Sequence, residues 1–223
     1  MEILAGIGGT EPCRYIVPAL ADSSADLRER AARALYARCP AEAWRSGEAA
    51  GALRKSVAEG NGAAAAYLML GHFPDPATEE VLRAALEDSS PVKLERWQAP
   101  VPASLPALVA LARMGRSGAE ERLVPAVRQA GLNELVFLLH VLDEIEARAA
   151  LRALSSALGD SREISGGVPA GATPRRRVQD LAVDTFVRRL NLQPGFPLQP
   201  AARYAPAQIS RIRGMVEKAL ASQ

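Results

Sequence analysis

A short turn written three times constrains this chain more than any other feature. Leu20-Ala21-Asp22-Ser23-Ser24 returns as Leu86-Glu87-Asp88-Ser89-Ser90, and Leu158-Gly159-Asp160-Ser161 is a shorter copy. Aspartate and serine side chains bond nearby backbone, so each copy reads as the end of one helix and the start of the next. Weaker helix ends lie between, at Val57-Ala58-Glu59-Gly60-Asn61 and Val127-Arg128-Gln129-Ala130-Gly131. Ile16-Val17-Pro18-Ala19-Leu20 is also echoed by Leu123-Val124-Pro125-Ala126-Val127. The anchors at positions 20, 57, 86, 127 and 158 stand 37, 29, 41 and 31 residues apart, the range of stacked helical pairs.

Around the first turn, Ile16, Val17, Ala19 and Leu20 give one helix its apolar side. Leu27, Ala31, Ala34 and Leu35 repeat at helical spacing in the second, and the alanines let a neighbouring helix come close. Extending this reading predicts first helices at about 12–21, 47–58, 76–87, 118–129 and 147–158. Second helices follow at about 25–38, 62–71, 103–114, 132–146 and 175–190. Beyond Leu190, Pro194, Pro197, Pro200 and Pro206 exclude one continuous helix. Ile209, Ile212, Val216 and Leu220 then share one face of a closing helix, with Phe196 and Tyr204 as anchors of its approach. Hydrophobic residues make up 48% of the chain and aromatics only 4%, which favours an all-α fold over a sheet.

The pattern resembles the HEAT-repeat family, including its PBS-lyase-type members, whose units carry an aspartate in the turn and a Val/Leu-Arg pair early in the second helix. Asp22, Leu27-Arg28, Ala31 and Ala34-Leu35 match it, and Val178, Ala182 and Phe186 repeat the spacing with Gln179 in place of the arginine. The resemblance implies one domain over 1–223: a right-handed α-solenoid of about five hairpins in 10–190, with a C-terminal cap in 191–223. It further implies that second helices line a concave binding surface.

Superposing the second helices places Arg33, His140 and Asp184 on equivalent sites, with Ala37, Glu144 and Arg188 one turn later. With Glu29, Tyr36, Phe137 and Asp143 this row is the expected partner-binding face. Two turns are enlarged, Pro91 to Pro100 and Arg162 to Pro174, and insertions at the same place in repeats emerge along one edge. The first carries Arg96 and Trp97, the composition of an interface hot spot. After the second, Arg175, Arg176 and Arg177 follow Thr173-Pro174, read as an N-cap and first helical residue. Three cations at the positive end of a helix invite an anionic partner. Trp44 reads as a wedge between repeats, and His72 as a cap at a helix end.

Catalytic, cofactor and metal sites are not expected. His72 and His140 have no evident triad, and two cysteines and two histidines lack metal-ligand spacing. Gly6, Gly8 and Gly9 lack the Lys-Ser/Thr ending of a phosphate loop. The net charge of +2 is uneven: residues 1–111 hold 11 Lys+Arg against 14 Asp+Glu, and 112–223 hold 16 against 11. Cys13 and Cys39 are expected as reduced thiols, hence a cytoplasmic location, with no signal peptide and no membrane span. The favoured function is a non-enzymatic scaffold gripping a protein partner, with toxin neutralisation by an immunity protein as a concrete version. The alternative is a HEAT-like nucleic-acid enzyme such as a DNA glycosylase, opposed by the acidic Asp143, Glu144 and Asp184. Bilin-lyase chemistry is a third and more distant option.

Overall fold

The three aspartate turns are one structure repeated. The computed structural model describes residues 10–60, 62–95, 98–164, 175–199 and 203–221. Before each turn the helix tightens into a 3-10 segment, at Val17–Ala21, Ala85–Glu87 and Ser155–Gly159. The aspartate N–H closes that segment on the carbonyl three residues back, in Asp22, Asp88 and Asp160 alike. Each carboxylate then accepts the N–H two residues on, from Ser24 at 2.7 Å, Ser90 at 2.8 Å and Arg162 at 3.0 Å. A short acidic side chain thereby replaces the next helical bond and turns the chain.

The described residues are predominantly helical, and the chain forms two compact units, Met1–Ala119 and Glu120–Gln223. The first contains α1 Thr10–Arg14, α2 Ala25–Arg38, α3 Gly47–Ala58, α4 Ala64–Leu70, α5 Pro76–Ala84 and α6 Ser104–Arg113. Its centre is α4, whose seven residues are all buried. It packs against α2, α3 and α6. Small residues set that packing: a Cβ on Gly71, just past α4, would lie 3.1 Å from Ala110 Cα in α6. Trp44 is buried, donates from its indole to the Cys39 carbonyl at 3.4 Å, and meets the His72 ring edge-on at 5.1 Å. It wedges the first hairpin against the end of α4.

The second unit contains α7 Ala119–Gln129, α8 Leu132–His140, α9 Arg148–Leu154, α10 Val178–Arg189 and α11 Pro206–Ala221. Its centre is α10, buried continuously from Asp180 to Val187 and packed against α8, α11 and the Ser155–Gly159 segment. The closing helix α11 buries Ile209, Ile212, Val216 and Leu220, the four residues expected from spacing. Phe196 stacks near Tyr204, with ring centroids 5.7 Å apart. Among the described residues no helix is long and apolar enough to cross a membrane.

Four expectations need correction. Cys13 and Cys39 form a disulfide spanning 26 residues, so the thiols are not reduced and the cysteine argument for a cytoplasmic location loses its basis. The helix expected over 132–146 ends at His140, and Leu142–Glu144 forms a 3-10 turn. Val141, Leu142 and Ile145 stay buried on one side through the break, as the apolar spacing required, while the backbone after His140 leaves the α-helix. The last repeat helix starts at Val178, so Arg175 to Arg177 precede it; Thr173 and Pro174 lie outside the described residues. Finally, the enlarged turns carry β structure rather than loop alone.

Candidate functional site

Both inserted turns begin as the same antiparallel ribbon. In the first unit, β1 Pro91–Val92 pairs with β2 Val101–Pro102, Pro91 opposite Pro102 and Val92 opposite Val101. At its base the N–H of Ala103 donates to Ser90 O at 2.9 Å, and that of Ser104 to Asp88 O at 3.0 Å. In the second unit Glu163 bridges Arg177. There the N–H of Val178 donates to Arg162 O at 3.0 Å, and that of Gln179 to Asp160 O at 2.9 Å. Counting from the aspartate, every partner is equivalent. The turn aspartate thus sits at the root of each ribbon and delivers the chain into the next helix.

The first root opens as a cleft between α2, α4 and β1. Asp26, Glu29 and Arg33 line one wall, Gly62 and Tyr67 the floor, and Ser90 to Lys93 the other wall. Lys93 O accepts from Ala64 N at 3.2 Å, capping a helix whose N-cap, Ala63, has no side chain able to do so. Arg33 pairs with Glu29 one turn before it and reaches Lys93 O at 3.5 Å, while its Nε is buried without a partner. Loss of hydration, reinforced by the nearby Asp88 carboxylate, pushes the Tyr67 phenol up to about 12, so its proton is retained. The cleft therefore offers charges of both signs beside a neutral phenol.

The second root is filled from within. Asp180 and Asp184 are buried on α10. Arg177 grips Asp180 in a fork, Nε to Oδ2 at 2.9 Å and Nη2 to Oδ1 at 2.8 Å, and its own N–H donates to Oδ2 at 2.9 Å. The Tyr204 N–H donates to Asp180 Oδ1 at 3.0 Å, and its hydroxyl donates to Asp184, which also pairs with Arg176. Burial pushes the Asp180 carboxyl up, but bonds from Arg177 and Tyr204 and the guanidinium charge outweigh it. They hold the group below the ordinary carboxylate range. Lost hydration is the main effect lowering Arg176.

These positions correct several expected partner contacts. Phe137 is in the core of α8 and Asp184 in that of α10, so neither faces a partner. Arg176 and Arg177 find their anions in their own chain, which relieves the electrostatic conflict that an external acid was expected to relieve. Arg175 is exposed, and its carbonyl accepts from Arg203 Nε at 2.5 Å. Arg188 is exposed and its Nε donates to Asp184 O at 3.2 Å. His140 Nδ1 meets Val136 O at 2.7 Å, within its own helix. Desolvation lowers this imidazole's pKa; Arg176 and Arg188 lower it further, against the bond to Val136.

Asp143 is exposed and Glu144 half-buried, both on the 3-10 turn rather than on α8, so the expected strip with His140 is broken. Tyr36 is half-buried on α2. Arg96 and Trp97 lie outside the described residues. Of the expected face, Glu29 and Arg33 are brought into one cleft. Lys93, legible only as an insertion residue, and Tyr67, which no motif singled out, complete it. Compared with known families, curated proteins and solved structures, the chain matches no family model, no curated protein and no solved structure.

Proposed function

We propose that this chain is a HEAT-like helical-repeat protein, a right-handed stack of about five hairpins, that binds another protein through the open root of its first ribbon. The observation carrying this reading is the contrast between two roots built on one backbone template. One buries its ion pairs beneath a returning segment, whereas the other keeps Asp26, paired with Arg30, Glu29, paired with Arg33, and the exposed Lys93 around an accessible cleft. Mixed charge beside a neutral phenol and the short apolar strand Pro91–Val92 suits a polypeptide surface better than a phosphate backbone, which Asp26 and Glu29 would repel. A toxin held in a one-to-one complex is the concrete form of the proposal.

The test is co-purification from the native host, followed by reconstitution from two purified components. Lys93→Glu reverses the exposed charge and leaves the structural carbonyl in place. It is expected to weaken the reconstituted complex about tenfold or more with an unchanged melting temperature. Wild-type affinity in this variant, or failure of any protein to form a stoichiometric complex, would overturn the proposal.

A further inference from the structure

The second unit holds a separate cleft whose chemistry differs from both ribbon roots. It is half-open, about 290 Å³, and lies between the start of α9 and the end of α10, with Leu220 of α11 as part of its wall. Leu151, Leu190 and Leu220 supply apolar surface. Arg148 and Arg189 supply two guanidinium groups from two different elements, both half-buried.

Neither arginine has a carboxylate partner among the described residues. Arg189 donates from Nη2 to Ile145 O at 3.2 Å, and its Nε is buried with no partner. This differs from the second ribbon root, where Arg176 and Arg177 both meet aspartates. Two partly desolvated cations facing one cleft repel each other, and an anion between them removes that cost. Glu146 also lines the cleft and is exposed, so it reduces the positive charge without cancelling it.

We propose that this cleft binds a carboxylate carried on a short aliphatic group. The guanidinium forks match a planar carboxylate in two-point contact, and the leucines accept the aliphatic part. The volume stands at the lower limit of small-molecule sites, which restricts the buried part to about the size of one leucine. Such a group is supplied either by a free acid or by the carboxyl end of a polypeptide with an apolar last residue. The site is independent of the first ribbon root.

Calorimetric titration and amide chemical-shift mapping of the full chain with N-acetyl-leucine, N-acetyl-leucinamide, hexanoate and inorganic phosphate test this. The expected result is one site, shifts at Leu151, Leu190 and Leu220, and at least about tenfold weaker binding of the amide and of phosphate. Among the described residues the Arg148 side chain makes no hydrogen bond or ion pair, so Arg148→Gln should abolish the preference for acid over amide while the thermal melt is unchanged. A peptide ending in leucine that binds at least about tenfold more tightly than N-acetyl-leucine identifies a polypeptide end as the source; equal affinity identifies a free acid. No shifts at millimolar acid, equal binding of acid and amide, or wild-type affinity in Arg148→Gln would overturn the assignment.

Discussion

The two ribbon roots share a backbone and differ in what closes them. In both, an aspartate turns the chain, accepts the N–H two residues on, and is paired across the ribbon base with the first turn of the following helix. The first root is followed by α6, and among the described residues no later segment is part of its lining. At the second, Arg203 and Tyr204 come back and place a backbone N–H and a phenol on the carboxylates of α10. The same backbone template therefore leads to a cleft in one unit and a buried ion-pair network in the other. The turn sequence determines where a ribbon starts; a distant segment determines whether its root is open.

The largest test of that contrast is Asp180→Ala. It leaves the part-buried Arg177 and the Tyr204 N–H without their acceptor, and removing one partner of a buried pair costs roughly 3 to 5 kcal/mol. Denaturant melts should show that loss with the closing helix released first, seen as early amide exchange in Ile209 to Leu220. A loss below about 1 kcal/mol would mean that the network is not what seals the second root.

Acidification probes the same difference without mutation. The Asp180 carboxyl is pushed up by burial but held low overall by Arg177 and Tyr204, and Asp160 is held low chiefly by Arg162. A depressed folded value contributes stability that is fully present above the unfolded aspartate value of about 4 and is lost as pH falls through the folded value. Stability should therefore fall from about pH 4 downward, and Asp180→Asn should flatten that fall. A fall that is equally steep in the variant would separate Asp180 from the acid response.

The shared part of the comparison gives a smaller effect. Asp88→Ala and Asp160→Ala each remove a side-chain acceptor from a turn N–H, worth about 1 kcal/mol by analogy with helix caps. Comparable losses in the two units, measured by chemical denaturation, would support one template used twice. A loss in only one would show that the ribbon base is held by its backbone bonds alone in the other.

Much of this was written locally. The helices at 25–38 and 47–58 were readable because Ser24 and Ser46 accept the N–H groups of Leu27 and Ala49 at their starts, and apolar spacing runs unbroken behind each. The four buried residues of α11 were readable for the same reason. What escaped depends on partners far apart in sequence. Asp180, three residues past Arg177, was readable as a partial offset, but Arg176 read as a stranded cation because Asp184 is eight residues on, and the Tyr204 carbonyl that also holds Arg177 is further still. Cys13 and Cys39 read as reduced thiols packed in the first helix pair, because no spacing rule announces that α1 brings one within bonding reach of the other at the end of α2. The cleft at the first root needed Lys93, which an insertion carries to the start of α4. Helix ends are local events, whereas sites are made by segments that meet only after folding.

The smallest effect on stability is expected where function is proposed. Glu29 is more than one-third exposed and pairs with Arg33 within one helical turn, an arrangement worth only a few tenths of a kcal/mol. Glu29→Gln should therefore shift the melt by less than about 0.5 kcal/mol, far below Asp180→Ala. It also frees the Arg33 guanidinium toward Lys93 O and makes the cleft more positive. If a partner engages the first root, its affinity should change with Glu29→Gln and stay the same with Asp160→Ala, whose root is closed. A Glu29→Gln melt lowered by 2 kcal/mol or more would instead make this pair structural, and the two roots would then be alike in what their charges do.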